Sequence, residues 1–266
     1  MSAVRTVAVS LGLGLRLAAA WRLDMLTRLL SGGVVLLLTG VLWSAVTDGR
    51  PVVAGRAGPE LVSYAVIAWV VARIGATPID QELGERTRTG DVLHDLIRPG
   101  GLVLHLWARD AGRALVMSLT TAVPLGFLGV MLFDVGLPLT PGPWLAAAVS
   151  LVLAHAVAVG LALCIGALAI RVGRADGLVH TKGLMVALLS GALIPLDVYP
   201  AGLTRVARAL PFAALADGPA DLLVRGTSLA GALPVLGRQA AWAACLLGLA
   251  AVGLGLARRS PASRGG

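Results

Sequence analysis

Charge is scarce in this chain, and lysine is almost absent. Asp, Glu, Lys and Arg together make up 14% of the 266 residues, and Lys182 is the sole lysine. A soluble domain is ordinarily about a quarter charged and about half apolar. Here 57% of residues are hydrophobic and the mean hydropathy is +0.87. The apolar residues run together over lengths close to the roughly 20 that cross a hydrocarbon core of about 30 Å. That excludes a soluble fold and predicts an all-α integral membrane protein with the lipid bilayer as its surroundings.

What is missing also excludes chemistry. A Walker A loop needs Gly-Lys-Ser/Thr, because backbone amides cradle the phosphates while the lysine reaches the terminal ones. The one lysine reads "HTKGL", so ATP hydrolysis is not expected of this chain. His94, His105, His155 and His180 form no H-E-x-x-H, and no G-x-S-x-G nucleophile elbow occurs. Asp91, His94 and Asp95 fall at helical i, i+3 and i+4 spacing, which suits a metal on one face or a solvated charged face; no metal is assigned. Cys164 and Cys245 both sit in apolar runs and read as small buried hydrophobes. The net charge of +8 does not imply nucleic acid as a partner. The arginines flank apolar segments and form no basic stripe with aromatics between them.

Six spans are expected: 29–46, 61–77, 114–133, 144–170, 178–196 and 239–257. An N-terminal segment, 1–28, reads as amphipathic and interfacial, with Arg5, Arg16, Arg22 and Arg28 reaching lipid headgroups. Arg16 interrupts the alternative signal-peptide pattern. The six spans leave a cytoplasmic loop at 78–113, a last outer segment at 197–238 and a short tail at 258–266. With the N-terminus inside, fifteen Lys and Arg residues fall on the inner side and six on the outer, which places both termini in the cytoplasm.

Pro200, Pro211, Gly218, Pro219, Gly226 and Pro234 break the 197–238 segment too often for it to span. It reads as short re-entrant or interfacial helices, or as an ordinary loop. Within the spans, Arg73 lies near a helix end and snorkels. His155 lies nearer mid-span, either bonding neighbouring helices or relaying protons, and a relay needs a carboxylate that none of the six spans supplies. Ala154, Ala158, Ala162 and Gly166 repeat every four residues, as a packing face would.

Against this background the stretch "RTRTGDVLHDLIRPG", residues 86–100, stands out. Val92, Leu93, Leu96 and Ile97 recur at helical spacing, with Arg88, Asp91, Asp95 and Arg98 around them. Gly90 is expected to open this short helix, and Pro99-Gly100-Gly101 to stop it. Interleaved charges of both signs favour a protein partner over anionic lipid.

The stretches "RTGDVLHDLIRP" (88–99) and "LHLWARDAGRAL" (104–115) resemble the cytoplasmic loop of ABC-2 type transporter permeases, closest to the viologen-exporter-like branch. "SGALIPLDVYPAGLTRVARALPF" (190–212) resembles that family's fifth helix and outer re-entrant region. The resemblance implies a permease subunit of an ABC exporter in a bacterial plasma membrane. Two permeases, identical or sister chains, would form the pathway over two ATPase subunits that carry the ATP and magnesium; this chain would bind no cofactor. Residues 84–99 would be the coupling helix, with Glu85, Arg88, Asp91, Asp95 and Arg98 as polar contacts and Gly90 and Pro99 shaping its ends. The outer region would carry Ser190, Gly191, Pro195, Leu196, Pro200, Leu210, Pro211 and Phe212 and help close the pathway. The sparse polar and aromatic lining suits a hydrophobic or amphipathic cargo. A proton-coupled carrier or channel without an ATPase, and a membrane scaffold, are the competing readings.

Overall fold

The computed structural model describes residues 22–91, 102–173 and 175–257, together with Val9 and Gly12. Most of the expected interfacial segment and all of the tail therefore lie outside the described residues. Helix α1, Arg22–Thr47, begins earlier than expected. No Gly or Pro interrupts the stretch before Gly32, so residues 22–28 form the first turns of this helix. A tight hairpin follows, β1 (Val52–Val53) antiparallel to β2 (Arg56–Ala57), with Val53 opposite Arg56. Helix α2, Gly58–Gly75, returns through the bundle. A short non-helical link leads from it to α3, Ile79–Thr89.

The third span begins twelve residues before the expected Ala114. Helix α4 (Leu102–Met117) runs through a π turn at Ser118–Ala122 into α5 (Val123–Phe133). The charges at Arg109, Asp110 and Arg113 do not stop it, because each is paired within the fold. Pro124 accounts for the π turn: it has no N–H to give the Thr120 carbonyl and its ring would press on that oxygen. The turn widens instead, and the Val123 amide donates to the Ser118 carbonyl.

Helix α6, Pro141–Val172, is the axis of the bundle: at 32 residues it is about 48 Å long. Helix α7, Asp176–Leu189, corrects the expected fifth span. Its 14 residues reach only about 21 Å, short of a roughly 30 Å core. The chain stops being helical at Ser190-Gly191, where Gly191 takes φ +84°, a left-handed conformation that suits a residue without a Cβ. Short pieces follow: a 3-10 turn at Leu196–Val198, α8 (Ala201–Ala209), a 3-10 turn at Pro211–Leu215 and α9 (Asp217–Val224).

The last helix, α10 (Leu229–Ala257), starts ten residues before the expected Gln239. Ser228 caps it, its hydroxyl accepting from the Gly231 amide at 3.3 Å. With the first turn capped, Pro234 removes one backbone bond without ending the helix. The irregular segment is thus 190–228, not 197–238. Among the described residues, five helical stretches are long and apolar enough to cross a membrane. All-α architecture stands; the expected fifth span is a 14-residue helix continued by the short pieces that follow it.

The core lies along α6. Val159, Ala162, Leu163 and Ala167 pack with Ala250 and Leu254 of α10 and with Ile79 and Leu83 of α3. The small-residue row is wholly turned inward: Ala154, Ala158, Ala162 and Gly166 are all buried. Gly166 lies against the Leu83 side chain, where a Cβ would collide. Cys164 donates to the Leu246 carbonyl at 3.3 Å, whereas Cys245 is exposed on α10 and departs from the buried expectation. Ala214 and Leu215 pack with Val157 and Ala158, so the 211–215 turn reaches the middle of α6.

Gly160 marks the closest approach of α6 and α10. A Cβ there would lie 2.8 Å from the Leu246 Cβ and 3.3 Å from the Leu247 nitrogen. Gly160→Ala should therefore destabilise the bundle by about 1–3 kcal/mol, since backbone must move to admit the methyl. Gly248→Ala, where nothing lies within 4 Å, should not. Thermal melts of the two variants in detergent check both outcomes.

Candidate functional site

Two charged clusters sit at opposite ends of the bundle. The first surrounds α3. Its apolar face turns inward and carries one acid with it, so that Ile79, Asp80, Leu83 and Gly84 are buried. Four contacts fasten it. Leu83 seats on Gly166, and Gly84 abuts Ala175 so closely that any side chain there would clash. Glu82 pairs with Arg109 of α4. Asp80, fully buried, meets Lys182 Nζ of α7 at 2.5 Å. Removing one partner of such a buried pair costs about 3–5 kcal/mol, because the other charge is left unpaired.

Glu85 and Arg88 lie on the exposed face of α3. They pair at 2.6 Å with side chains 59% and 72% exposed, above a groove of about 580 Å³ that also takes in Asp176 and His180. The hydrogen bond from Arg88 holds the Glu85 carboxyl below the usual carboxylate range. Gly90, φ +83°, closes α3 as a left-handed cap, and the short helix it was expected to open lies outside the described residues. Asp91 is exposed and accepts from the Thr89 hydroxyl at 2.8 Å. Asp95, Arg98 and Pro99 lie outside the described residues, and so does His94; no group of three or more metal-ligating side chains occurs among the described ones.

The second cluster centres on Arg56, 2% exposed, at the hairpin. Its Nε donates to Asp197 at 2.7 Å, Nη1 to Glu60 at 3.0 Å and Nη2 to Asp221; its guanidinium also stacks 4.7 Å from the Tyr64 ring. Arg208 bridges Asp197 and Asp217, at 2.9 and 3.3 Å. Tyr64 donates to Asp217 at 2.6 Å. Burial would lower the Arg56 pKa, but bonds and charge from Asp221 and Asp197 outweigh it and raise it. Burial alone would lift Asp197, and the hydrogen bond and charge of Arg56 win and hold it low. Asp217 goes the other way: burial pushes it up despite Tyr64 and Arg208.

These side chains gather the residues expected in the outer region. Ser190 is fully buried; its carbonyl accepts from the Asp217 amide at 2.8 Å and its hydroxyl from the Ala192 amide at 3.2 Å. A Cβ on Gly191 would lie 2.5 Å from the Tyr64 hydroxyl. The Pro195 carbonyl accepts from Val198, and Leu196, fully buried, takes the Thr204 hydroxyl on its carbonyl at 2.9 Å. Pro200 precedes α8, the extended Leu210 follows it, and Pro211 opens the next turn while Phe212 is half-buried. Sequence reasoning missed Arg56, Tyr64, Asp217 and Asp221 as partners. The signal was there: Asp217 and Asp221 share a helix face in an apolar chain, where buried acids demand cations.

It also missed Asp110. This residue is 3% exposed, holds Arg113 Nε at 2.7 Å and lies 3.8 Å from His155 Nε2. A helical carboxylate therefore does face His155, contrary to the expected absence of one. Its charge is already matched by Arg113, which also donates to the Ala76 carbonyl at 2.6 Å.

As pH falls through the ordinary carboxylate range, unfolded Asp197 takes up its proton before the native one does. The native state then binds fewer protons, and its advantage is lost as acidification continues below about pH 4. Asp197→Asn should be less stable than wild type at neutral pH and show a shallower loss on acidification; thermal melts as a function of pH measure this.

The model of the ABC-2 family transporter protein matches residues 34–263, a stretch that covers both clusters. No curated protein and no solved structure matches the chain. The matched length, the apolar helices and the helical bundle agree, and the chain belongs to the ABC-2 family of transporter permeases.

Proposed function

We propose that this chain is the permease subunit of an ABC exporter and that α3 is the element through which a separate ATPase drives it. The observation that carries this is the two-sidedness of α3. Its inner face is locked to three helices through Leu83, Glu82 and Asp80, while Glu85 and Arg88 are presented outward beside an open groove. A helix built this way transmits force and makes none.

The excess of Lys and Arg at the α3 end supports that end as the cytoplasmic one. Both termini are then cytoplasmic, in the plasma membrane. Nucleotide binding by two partner ATPases, which hold the ATP and magnesium, would displace the α3 region and the 92–99 stretch beyond it. The Asp80–Lys182 pair passes the movement to α7, whose far end abuts Ser190, Asp217 and Tyr64. The Arg56 cluster then acts as the outer latch of the pathway, and the two positions are a population shift driven by differential binding. A second permease, the same chain or a sister, completes the pathway, and its apolar lining suits hydrophobic or amphipathic cargo.

Reversing both charges, Arg88→Glu with Asp95→Arg, should lower capture of the ATPase by about tenfold or more, since like charges facing each other at an interface cost several kcal/mol. The check is a mild-detergent pull-down of the tagged chain with mass spectrometry of every co-purifying protein. A stoichiometric Walker-containing subunit on wild type, lost from a variant that still inserts, is the expected result. Equal capture by both would remove α3 from the coupling role.

A further inference from the structure

A third cluster of arginines belongs to neither site. At the α3 end of the bundle a cavity of about 250 Å³ opens between α1, α2 and α4, lined by Arg28, Ser31, Arg73, Arg113, Met117 and Thr121. Arg113 is set in place by Asp110 and the Ala76 carbonyl, which leaves other guanidinium donors unengaged. Arg73 is exposed, stacks 5.0 Å over the Trp69 ring, and has no acidic partner among the described residues.

Thr121 is the independent sign of a ligand. Ser118 and Thr120, in the same π turn, each return their hydroxyl to a carbonyl four residues back at 2.7 Å. Thr121 is 8% exposed, and its hydroxyl is buried with no partner at all. A buried hydroxyl left unmatched is unfavourable, so a lining group of this kind marks a place where an acceptor is wanted.

We propose that this cavity binds a phosphate ester, and that the ligand is the headgroup of an anionic lipid. Guanidinium groups around a hydroxyl donor match the several acceptor oxygens of a phosphate. The depth fits a headgroup: Arg73 stands two residues before α2 ends at Gly75, and Arg28 three residues into the apolar stretch that begins at Met25. Above it the outer side of α1 exposes Leu30, Val34, Leu37, Leu38 and Val41, a surface for acyl chains. Residues 1–21, which precede α1, carry Arg5 and Arg16 and no Asp or Glu.

The test is native mass spectrometry of the purified full-length protein, titrated with phosphatidylglycerol and, separately, phosphatidylcholine of the same acyl chains. Wild type should retain phosphatidylglycerol preferentially. Arg73→Gln should weaken that retention about fivefold, as expected for one arginine at a lipid surface. Thr121→Val, which keeps shape and volume, should weaken it by a smaller factor, and Arg205→Gln at the other end of the bundle should leave it unchanged. Equal retention of the two lipids, or no effect of Arg73→Gln and Thr121→Val, would overturn the site. If excess inorganic phosphate displaces the lipid and by itself raises the melting temperature of wild type but not of Arg73→Gln, the headgroup is overturned as the source in favour of free phosphate.

Discussion

Everything at the hairpin end depends on burying one guanidinium. Arg56 is almost wholly enclosed, and a charge taken out of water costs several kcal/mol unless partners surround it. Three carboxylates from three separate segments do so: Glu60 from the second helix, Asp197 from the turn before α8, and Asp221 from α9. The irregular 190–228 segment has no long helix to hold it. Its place is fixed because Asp197 and Asp221 must reach Arg56, with Arg208 pairing with Asp197 and Asp217 and Tyr64 donating to Asp217. A planar array of five N–H donors in a fixed fork can serve several carboxylates at once, whereas lysine offers three donors on a single atom.

Some of this was legible beforehand for plain physical reasons. Long apolar runs state their own length, so α1, α2 and α6 fell near their expected places. The inward row from Ala154 to Gly166 was readable from spacing alone. Boundaries failed where a polar residue was taken as an end. Arg109, Asp110 and Arg113 suggested that α4 had not begun, because their partners, Glu82 and Ala76, lie 27 and 37 residues away in the chain. Pro234 suggested that α10 had not begun, because a single proline resembles a break until the cap at Ser228 is seen. The fifth span failed in the opposite sense: hydropathy ran on past Leu189, but Gly191 turned the backbone.

The charged clusters were legible as composition and not as geometry. Asp197 and Asp221 were visible as acids in a segment with little charge, yet nothing local says that their shared cation sits in a hairpin more than 140 residues earlier. The same holds for Asp80 and Lys182, joined across 102 positions. Pairing at that range is decided by which helices pack together, and the packing is decided by small residues such as Gly84, Gly160 and Gly166 that let backbones approach. Glycine placement is therefore the hidden variable behind the ion pairs.

The near absence of lysine has a last consequence. With Lys182 committed to Asp80, the other twenty-one of the Lys and Arg side chains are all guanidinium groups. Guanidinium does not lose its proton at any pH a cell meets. The asymmetry of positive charge that orients this protein is consequently fixed against acidification and alkalisation alike. It is also closed to acetylation, the modification that removes charge from amines. The one side-chain amine open to such chemistry by its nature is the one the fold has paired away.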